Sequence, residues 1–200
     1  MGLLTLVEFH VTSLIKTRLP AGFKFHNLQH TRDVVAAVGE IVAFEDLNIQ
    51  QWEDLMIAAW FHDTGYTVSV EKHEWHSAVL ARKFLKGLMD PIRIRDICQL
   101  IDATRLECHP QLLTDLIIRD ADTYHLSRSN YQHYMQRLRK EWHILLGKDY
   151  PDDCWLKLNL DFLTQHKYQT RYGQHELEKR KRNNIRMLEF QLIDSMLITN

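Results

Sequence analysis

The sequence contains few residues that interrupt regular structure. Glycine occurs 7 times and proline 4 times among 200 residues, so the many tight turns of an all-β chain are not expected. The 3 cysteines form no CxxC pair. That argues against a disulfide framework or a cysteine zinc site and favours a reducing, cytoplasmic location. A formal net charge of −1 gives no basic surplus of the kind that indicates nucleic-acid binding.

Long uninterrupted hydrophobic runs are also missing. The apolar N-terminal segment contains Glu8 and His10, which makes it too polar and too short for a membrane span and a poor signal peptide. Hydrophobic residues nevertheless make up 45% of the chain, enough for a sizeable core. We therefore expect one domain over residues 1–200, with no membrane association.

Apolar residues recur at the spacing of amphipathic helices along most of the chain. The predicted helices cover residues 3–18, 27–47, 50–63, 73–89 and 171–197, and another begins at Pro91. Asn27 is expected to cap the second helix, and Gly65 to close the third in a left-handed conformation. The apolar run LLTDLIIRDAD could be a buried strand, but its helical neighbours favour a helix. The sequence therefore predicts an all-α fold.

Histidine is unusually frequent, at 12 residues. Four segments place polar side chains within apolar helices: FHNLQH at 25–30, WFHD at 60–63, HEWH at 73–76 and DAD at 120–122. A buried His or Asp without a partner is costly, and one divalent metal would satisfy several of them together.

Each segment alone has an ordinary interpretation. His62 and Asp63 can serve one metal only near a helix end, and otherwise resemble a core histidine beside a capping aspartate. His26 and His30 are four positions apart, which places them on one face if a helix covers both. They could be two ligands, a ligand and a residue facing substrate, or an exposed pair. Asp120 or Asp122 could complete a His2Asp2 set.

In combination, the order H…HD…D resembles the HD-domain superfamily of metal-dependent phosphohydrolases. The matching residues are His30, His62-Asp63 and Asp122. FHNLQH is similar to the YHNxxH segment of cyclic-nucleotide phosphodiesterases, with Phe25 in place of tyrosine, and DADTYHL is similar to the closing segment whose second aspartate is the ligand. The resemblance covers residues 25–125, and the helical extension 126–200 is similar to the tails of small bacterial HD proteins.

The resemblance implies a single all-α HD bundle with a long C-terminal helix and a divalent metal held by His30, His62, Asp63 and Asp122. It implies hydrolysis of a phosphate mono- or diester of a nucleotide-like metabolite by metal-bound hydroxide. His26 would be the general acid, and Asp63 would orient the water or bridge a second ion. Mixed nitrogen and oxygen donors suit Mn, Fe, Co, Ni, Zn or Mg, as one ion or two.

Other roles stay open at this level. His73, Glu74 and His76 either bind a second metal, lie near the substrate, or simply begin a helix. Arg105, like Lys179 or Lys181, either receives a substrate phosphate or is a solvated charge. The last helix either packs on its own chain or forms a homodimer contact. A non-catalytic nucleotide-binding HD module is the alternative function.

Overall fold

The computed structural model describes residues 2–198, apart from the side chains of residues 196 and 198. Within this range it contains nine α-helices and no strand beyond one isolated bridge, so the all-α prediction is confirmed. No helix in these residues is long and apolar enough to cross a membrane. The helices are α1 (Leu3–Arg18), α2 (Leu28–Val42), α3 (Ile49–Phe61), α4 (His73–Leu85), α5 (Pro91–Asp102), α6 (Leu113–Asp122), α7 (Tyr131–Leu146), α8 (Asp152–Gln165) and α9 (Glu178–Ile198).

The helix starts follow local sequence signals. The side chain of Asn27 accepts a hydrogen bond from Gln29 N and caps α2, as predicted. Asn48 and Gln51 form a reciprocal capping box at the start of α3. Pro91 occupies the first turn of α5, where its missing N–H costs nothing. The run LLTDLIIRDAD is helical and contains α6.

Several predicted helix ends are wrong. The second helix ends at Val42 rather than near residue 47, because a short turn leads directly to the Asn48 cap. The fourth ends at Leu85 rather than 89, and Gly87, with a φ of 83°, turns the chain. Gly65 is not among the residues with positive φ. It lies instead in a 3₁₀ turn, where a Cβ would be 1.8 Å from the carbonyl oxygen of His73.

Helix α3 lies at the centre of the bundle and contacts α1, α2, α4, α5 and α6. Leu55, Ile57, Ala58, Ala59 and Phe61 are fully buried in its second half, as expected of a helical stretch that is apolar on all sides. Its C-terminal end therefore lies inside the protein, so the polar residues that follow it, His62 and Asp63, are buried as well.

The C-terminal part packs on the same chain. Helix α8 lies against α9, and α9 also contacts the 3₁₀ turn Tyr124–Ser127 that follows α6. The predicted long last helix is present, and its beginning contains a π-helical turn, Gly173–Leu177. The final two residues of the predicted extension lie outside the described part.

Candidate metal centre and acid–base site

Three helix ends bring the predicted donors together. His30 lies in the first turn of α2, His62 and Asp63 directly follow α3, and Asp122 is the last residue of α6. His30, His62 and Asp63 are buried, and the Asp122 side chain is 28% exposed. We call His30, His62 and Asp122 the donor group, and this group is open to solvent on the side of Asp122.

One atom from each of His30, His62 and Asp122 lies within 4.8 Å of the other two. His30 Nε2 is 3.1 Å from Asp122 Oδ1 and 3.4 Å from His62 Nε2, and His62 Nε2 is 3.5 Å from Asp122 Oδ1. Ligand atoms about 2.1 Å from one ion are separated by about 3.0 Å in octahedral and about 3.4 Å in tetrahedral geometry. The observed separations therefore fit donors arranged around one cation.

Asp63 borders this group. Its Oδ2 is 3.2 Å from His62 Nε2 and 3.5 Å from His30 Nε2. The same oxygen is buried and has no hydrogen-bond partner among the described residues. Since a buried carboxylate oxygen without a partner is costly, a cation at this position would satisfy it.

The backbone sets which nitrogen of His62 faces the group. His62 Nδ1 lies 2.8 Å from the carbonyl oxygen of Ala59, which can only accept, so Nδ1 carries the proton. In the neutral ring Nε2 then carries the lone pair, which it can offer to a cation lying between His62 and the carboxylates of Asp63 and Asp122. This carbonyl–histidine arrangement is the usual way in which proteins orient a metal-binding imidazole.

The charges of the group are coupled. Burial alone would raise the pKa of Asp63, but His62 outweighs it and lowers that pKa below its usual range. Burial acts in the same way on Asp122, and hydrogen bonds with His30 and His62 hold its pKa well below normal. Burial would lower the pKa of His62, yet the two carboxylates raise it well above normal. Two anionic carboxylates thus persist in the interior, where they require a positive partner.

His26 lies in the loop before α2, so no helix covers both His26 and His30, and the condition for a shared helix face is not met. The two rings nevertheless meet edge to face, with centroids 5.7 Å apart. Burial would lower the pKa of His26, but a hydrogen bond from its Nδ1 to Glu141 and the charge of Asp63 raise it.

Glu141, in α7, was not anticipated from the sequence. It is 3% exposed, and its Oε2 accepts hydrogen bonds from the backbone N of Phe25 at 2.7 Å and of His26 at 3.0 Å, while Oε1 faces His26 Nδ1. The carboxylate therefore holds the loop and the ring orientation of His26, and it helps to raise the pKa of that ring. It is 115 residues away in the chain, and no local motif points to it.

The HEWH segment divides into separate roles. His73 Nε2 is 3.7 Å from Asp63 Oδ1, its ring stacks on Tyr66 at 4.0 Å, and its Nδ1 is 3.4 Å from Glu74 Oε2. His76 contacts the ring of Trp75 and does not reach the donor group through any described contact. The structure therefore does not bring His73 and His76 together as a ligand pair.

Arg105 lies beside this segment rather than at the donors. It pairs with Asp102 at 3.1 Å and lines a cleft of about 580 Å³. The other lining residues are Lys72, His73, Glu74, Trp75 and Glu107. Because His73 also faces Asp63, the cleft adjoins the donor group.

The basic cluster of the last helix has mainly structural partners. Lys181 is 1% exposed and pairs with Glu178 at 2.9 Å, so its ammonium group does not face a ligand. Arg180 donates to Glu40 and to the hydroxyl of Tyr124. Lys179 stays a candidate only as an expectation from the sequence.

The helical fold and the largely buried His–His–Asp group with its adjoining aspartate define a helical domain with a candidate metal centre. Comparison with protein families agrees, since the HD domain profile matches residues 27–127. The chain belongs to the HD-domain family, whose members bind divalent metal ions and are typically metal-dependent hydrolases. Neither curated proteins nor solved structures yielded a match to this chain.

Proposed function

We propose that this protein is a metal-dependent phosphohydrolase that cleaves a phosphate mono- or diester of a nucleotide-like metabolite. The observation that carries the proposal is the position of His26 next to the donor group of His30, His62 and Asp122. Because a hydrogen bond to Glu141 and the charge of Asp63 raise the pKa of His26, this ring can hold a proton beside the cation, as a general acid must.

The donor set suits a divalent cation, and its mixed nitrogen and oxygen atoms are compatible with Mn, Fe, Co, Ni, Zn or Mg. His30, His62, Asp63 and Asp122 would hold it. A bound divalent cation offsets the charge of a phosphoryl group and lowers the pKa of water near it. Asp63 Oδ1 faces His73 Nε2, whereas Oδ2 faces His30 and His62, so Oδ1 can also accept a proton or orient water.

His26 supplies the proton for the leaving oxygen. Its ring is 77% buried and its Nδ1 is engaged by Glu141, so Nε2 is the nitrogen that can donate. Because Glu141 and Asp63 raise the pKa of His26, the imidazolium persists into the neutral range, where a general acid must be protonated before the transition state.

The cleft at the donor group favours a nucleotide-like substrate. Lys72 is exposed and forms no ion pair in the described chain, so its charge can meet a phosphate. Trp75 is 58% exposed and offers a flat aromatic face to a base. A ring on Trp75 and phosphate oxygens near Lys72 and Arg105 would place an ester in reach of His73 and the donor group.

The loop that carries Arg105 is held in place. Arg119 Nη1 donates to the carbonyl oxygens of Ala103, Arg105 and Cys108 at 3.1, 2.9 and 2.8 Å. One guanidinium thus gathers three loop carbonyls and stabilises the rim of the cleft. A fixed rim lowers the entropy lost when a substrate binds.

The test uses the full chain, stripped of metal and reloaded with Mn²⁺, Mg²⁺, Ni²⁺ or Zn²⁺. Metal content and turnover of bis(p-nitrophenyl) phosphate, p-nitrophenyl phosphate and a panel of nucleotides are measured. We expect bound metal and metal-dependent turnover, with at least one nucleotide preferred over the nitrophenyl esters. Asp63→Ala should lose both metal and activity while helix content in circular dichroism is retained.

Asp54→Ala is the matched control, since it removes another buried carboxylate from α3 that binds Arg93 at 2.6 Å, away from the donors. It should retain metal and turnover in the folded protein. Metal binding without turnover on any ester would instead indicate a non-catalytic nucleotide-binding module. If the protein neither bound metal nor hydrolysed any ester, the four donors would have structural roles only and the proposal would be refuted.

A further inference from the structure

A short segment of the C-terminal extension closes around the end of α6. Residues 166–173, which we call the C-terminal clasp, bind Asp120 and Thr123, the residues on either side of the metal donor Asp122. The clasp lies outside the matched HD domain, which ends at residue 127. Its described bonds to this part of the chain are hydrogen bonds, and Tyr168, Thr170 and Gly173 within it are buried.

The first anchor is Asp120, the other carboxylate of the DAD segment. It is 2% exposed and accepts hydrogen bonds from Gln169 N at 3.0 Å, Thr170 N at 2.9 Å and Thr170 Oγ1 at 2.7 Å. Both carboxylate oxygens are engaged. Asp120 is therefore committed to the clasp and is not a metal donor, although it stands two positions before Asp122.

The second anchor is Thr123, on the other side of Asp122. The hydroxyl of Tyr168 donates to the carbonyl oxygen of Thr123 at 2.9 Å, and His166 Nε2 is 3.1 Å from Thr123 Oγ1. The chain is thus held at positions 120 and 123, and Asp122 lies between them at the point where α6 ends. A helix end without such contacts frays.

Gly173 allows the clasp to pack directly against Asp120. Gly173 N donates to Thr170 Oγ1 at 2.9 Å, and a Cβ on Gly173 would lie 2.4 Å from Asp120 Oδ2. The clasp is fastened to α9 as well, because Glu178 Oε1 accepts from Tyr168 N at 2.9 Å and from Lys181 Nζ at 2.9 Å. Buried Lys181 also donates to the carbonyl oxygen of His166 and so ties the clasp to the last helix.

We propose that the clasp positions the metal donor Asp122, so that cation affinity depends on residues 166–173, none of which touches the donor group. This inference rests on the proposed metal centre. Asp122 must present Oδ1 to the imidazoles of His30 and His62, and anchors on both sides of it limit the backbone angles that it can adopt. Outer residues that orient metal ligands typically change affinity by about 10- to 100-fold when they are removed.

The decisive variant is Tyr168→Phe, which deletes only the hydroxyl that binds Thr123. Tyr131→Phe is its matched control, because Tyr131 is also buried and its hydroxyl donates to Asn159 Oδ1 at 2.8 Å. Two quantities are measured on metal-free full-length protein: the melting temperature, and the Mn²⁺ dissociation constant from isothermal titration calorimetry. Thr170→Val, which removes one bond to Asp120, serves as a second clasp variant.

We expect all three variants to melt at similarly lowered temperatures, whereas only the clasp variants weaken Mn²⁺ binding, by about tenfold. Unchanged Mn²⁺ affinity in both clasp variants, or equal weakening in Tyr131→Phe, would overturn the positioning role and leave the metal centre intact. Wild-type protein that binds no Mn²⁺ or other divalent ion would instead refute the proposed function, and the clasp proposal with it.

Discussion

Replacing Glu141 with glutamine tests whether His26 acts as a general acid. The carboxylate accepts hydrogen bonds from Phe25 N, His26 N and His26 Nδ1. Glutamine keeps the shape but has one acceptor oxygen and no charge, so it cannot replace all three. A hydrogen bond to a charged group contributes about 1.5–3 kcal/mol. Losing one should destabilise the imidazolium by about that amount and cut turnover about 10- to 100-fold.

The pH dependence of turnover should show in which direction Glu141 shifts the pKa of His26. Glu141 helps to raise the pKa of His26, so the wild-type acid stays protonated to a higher pH than it would without that charge. Without that charge the pKa falls, and the alkaline limb of kcat/KM should move to lower pH in Glu141→Gln. The ester should matter too: diphenyl phosphate, with its more basic leaving group, should lose more activity than bis(p-nitrophenyl) phosphate, whose phenolate needs little protonation.

The control for this substitution is Glu45→Gln. Glu45 is also a buried carboxylate that accepts a backbone N–H, from Tyr172 at 3.3 Å, and it binds Arg171 at 3.1 Å without contacting His26. Glu45→Gln should leave the alkaline limb of kcat/KM and the relative turnover of the two esters unchanged. If Glu141→Gln lowered the turnover of both esters equally and left the pH profile unchanged, Glu141 would only support the fold and His26 would not be the general acid.

Two further predictions concern the same region. Metal affinity should rise with pH through the neutral range, because the pKa of His62 is raised in the metal-free protein and both His30 and His62 must be neutral to bind a metal. Calorimetry in two buffers of different ionisation enthalpy should show that protons are released when the metal binds. An affinity that does not change with pH would contradict the ligand assignment. Gly65→Ala should lower the melting temperature, since its Cβ would lie 1.8 Å from the carbonyl oxygen of His73. Gly39 lies on an exposed face of α2, with nothing within 4 Å of an added Cβ, so Gly39→Ala should stabilise the folded protein by up to about 1 kcal/mol. Equal effects of the two alanines would refute the close-approach argument.

The sequence predicts the all-α fold well because its signals are local. Asn27 and Pro91 mark helix starts through their own side chains, and the apolar spacing of α3 follows directly from the sequence. Helix ends were less predictable. Gly65 has the appearance of a C-cap, yet its small size is required by the approach of α4, a contact between elements that no single window contains.

The candidate site divides in the same way. His30, His62-Asp63 and Asp122 were suggested by residue types in a characteristic order, and they come together at three helix ends. Glu141 and Thr170 have no such pattern, since each meets its partner from a distant part of the chain, 115 and 50 residues away respectively. A single carboxylate or hydroxyl in a helical sequence is too common to mark a site. Only packing distinguishes these from their solvated equivalents.

The contact between Asp120 and Gly173 has a consequence for how this protein can change in evolution. The space at residue 173 is already filled by the carboxylate, so a larger residue there needs a shorter one at 120, and loss of the carboxylate would leave Thr170 and Gln169 with unpaired N–H groups. Positions 120, 170 and 173 should therefore vary together among relatives of this chain. Exchanging residues 27–127 for those of another HD domain would break this agreement unless the tail were exchanged with them.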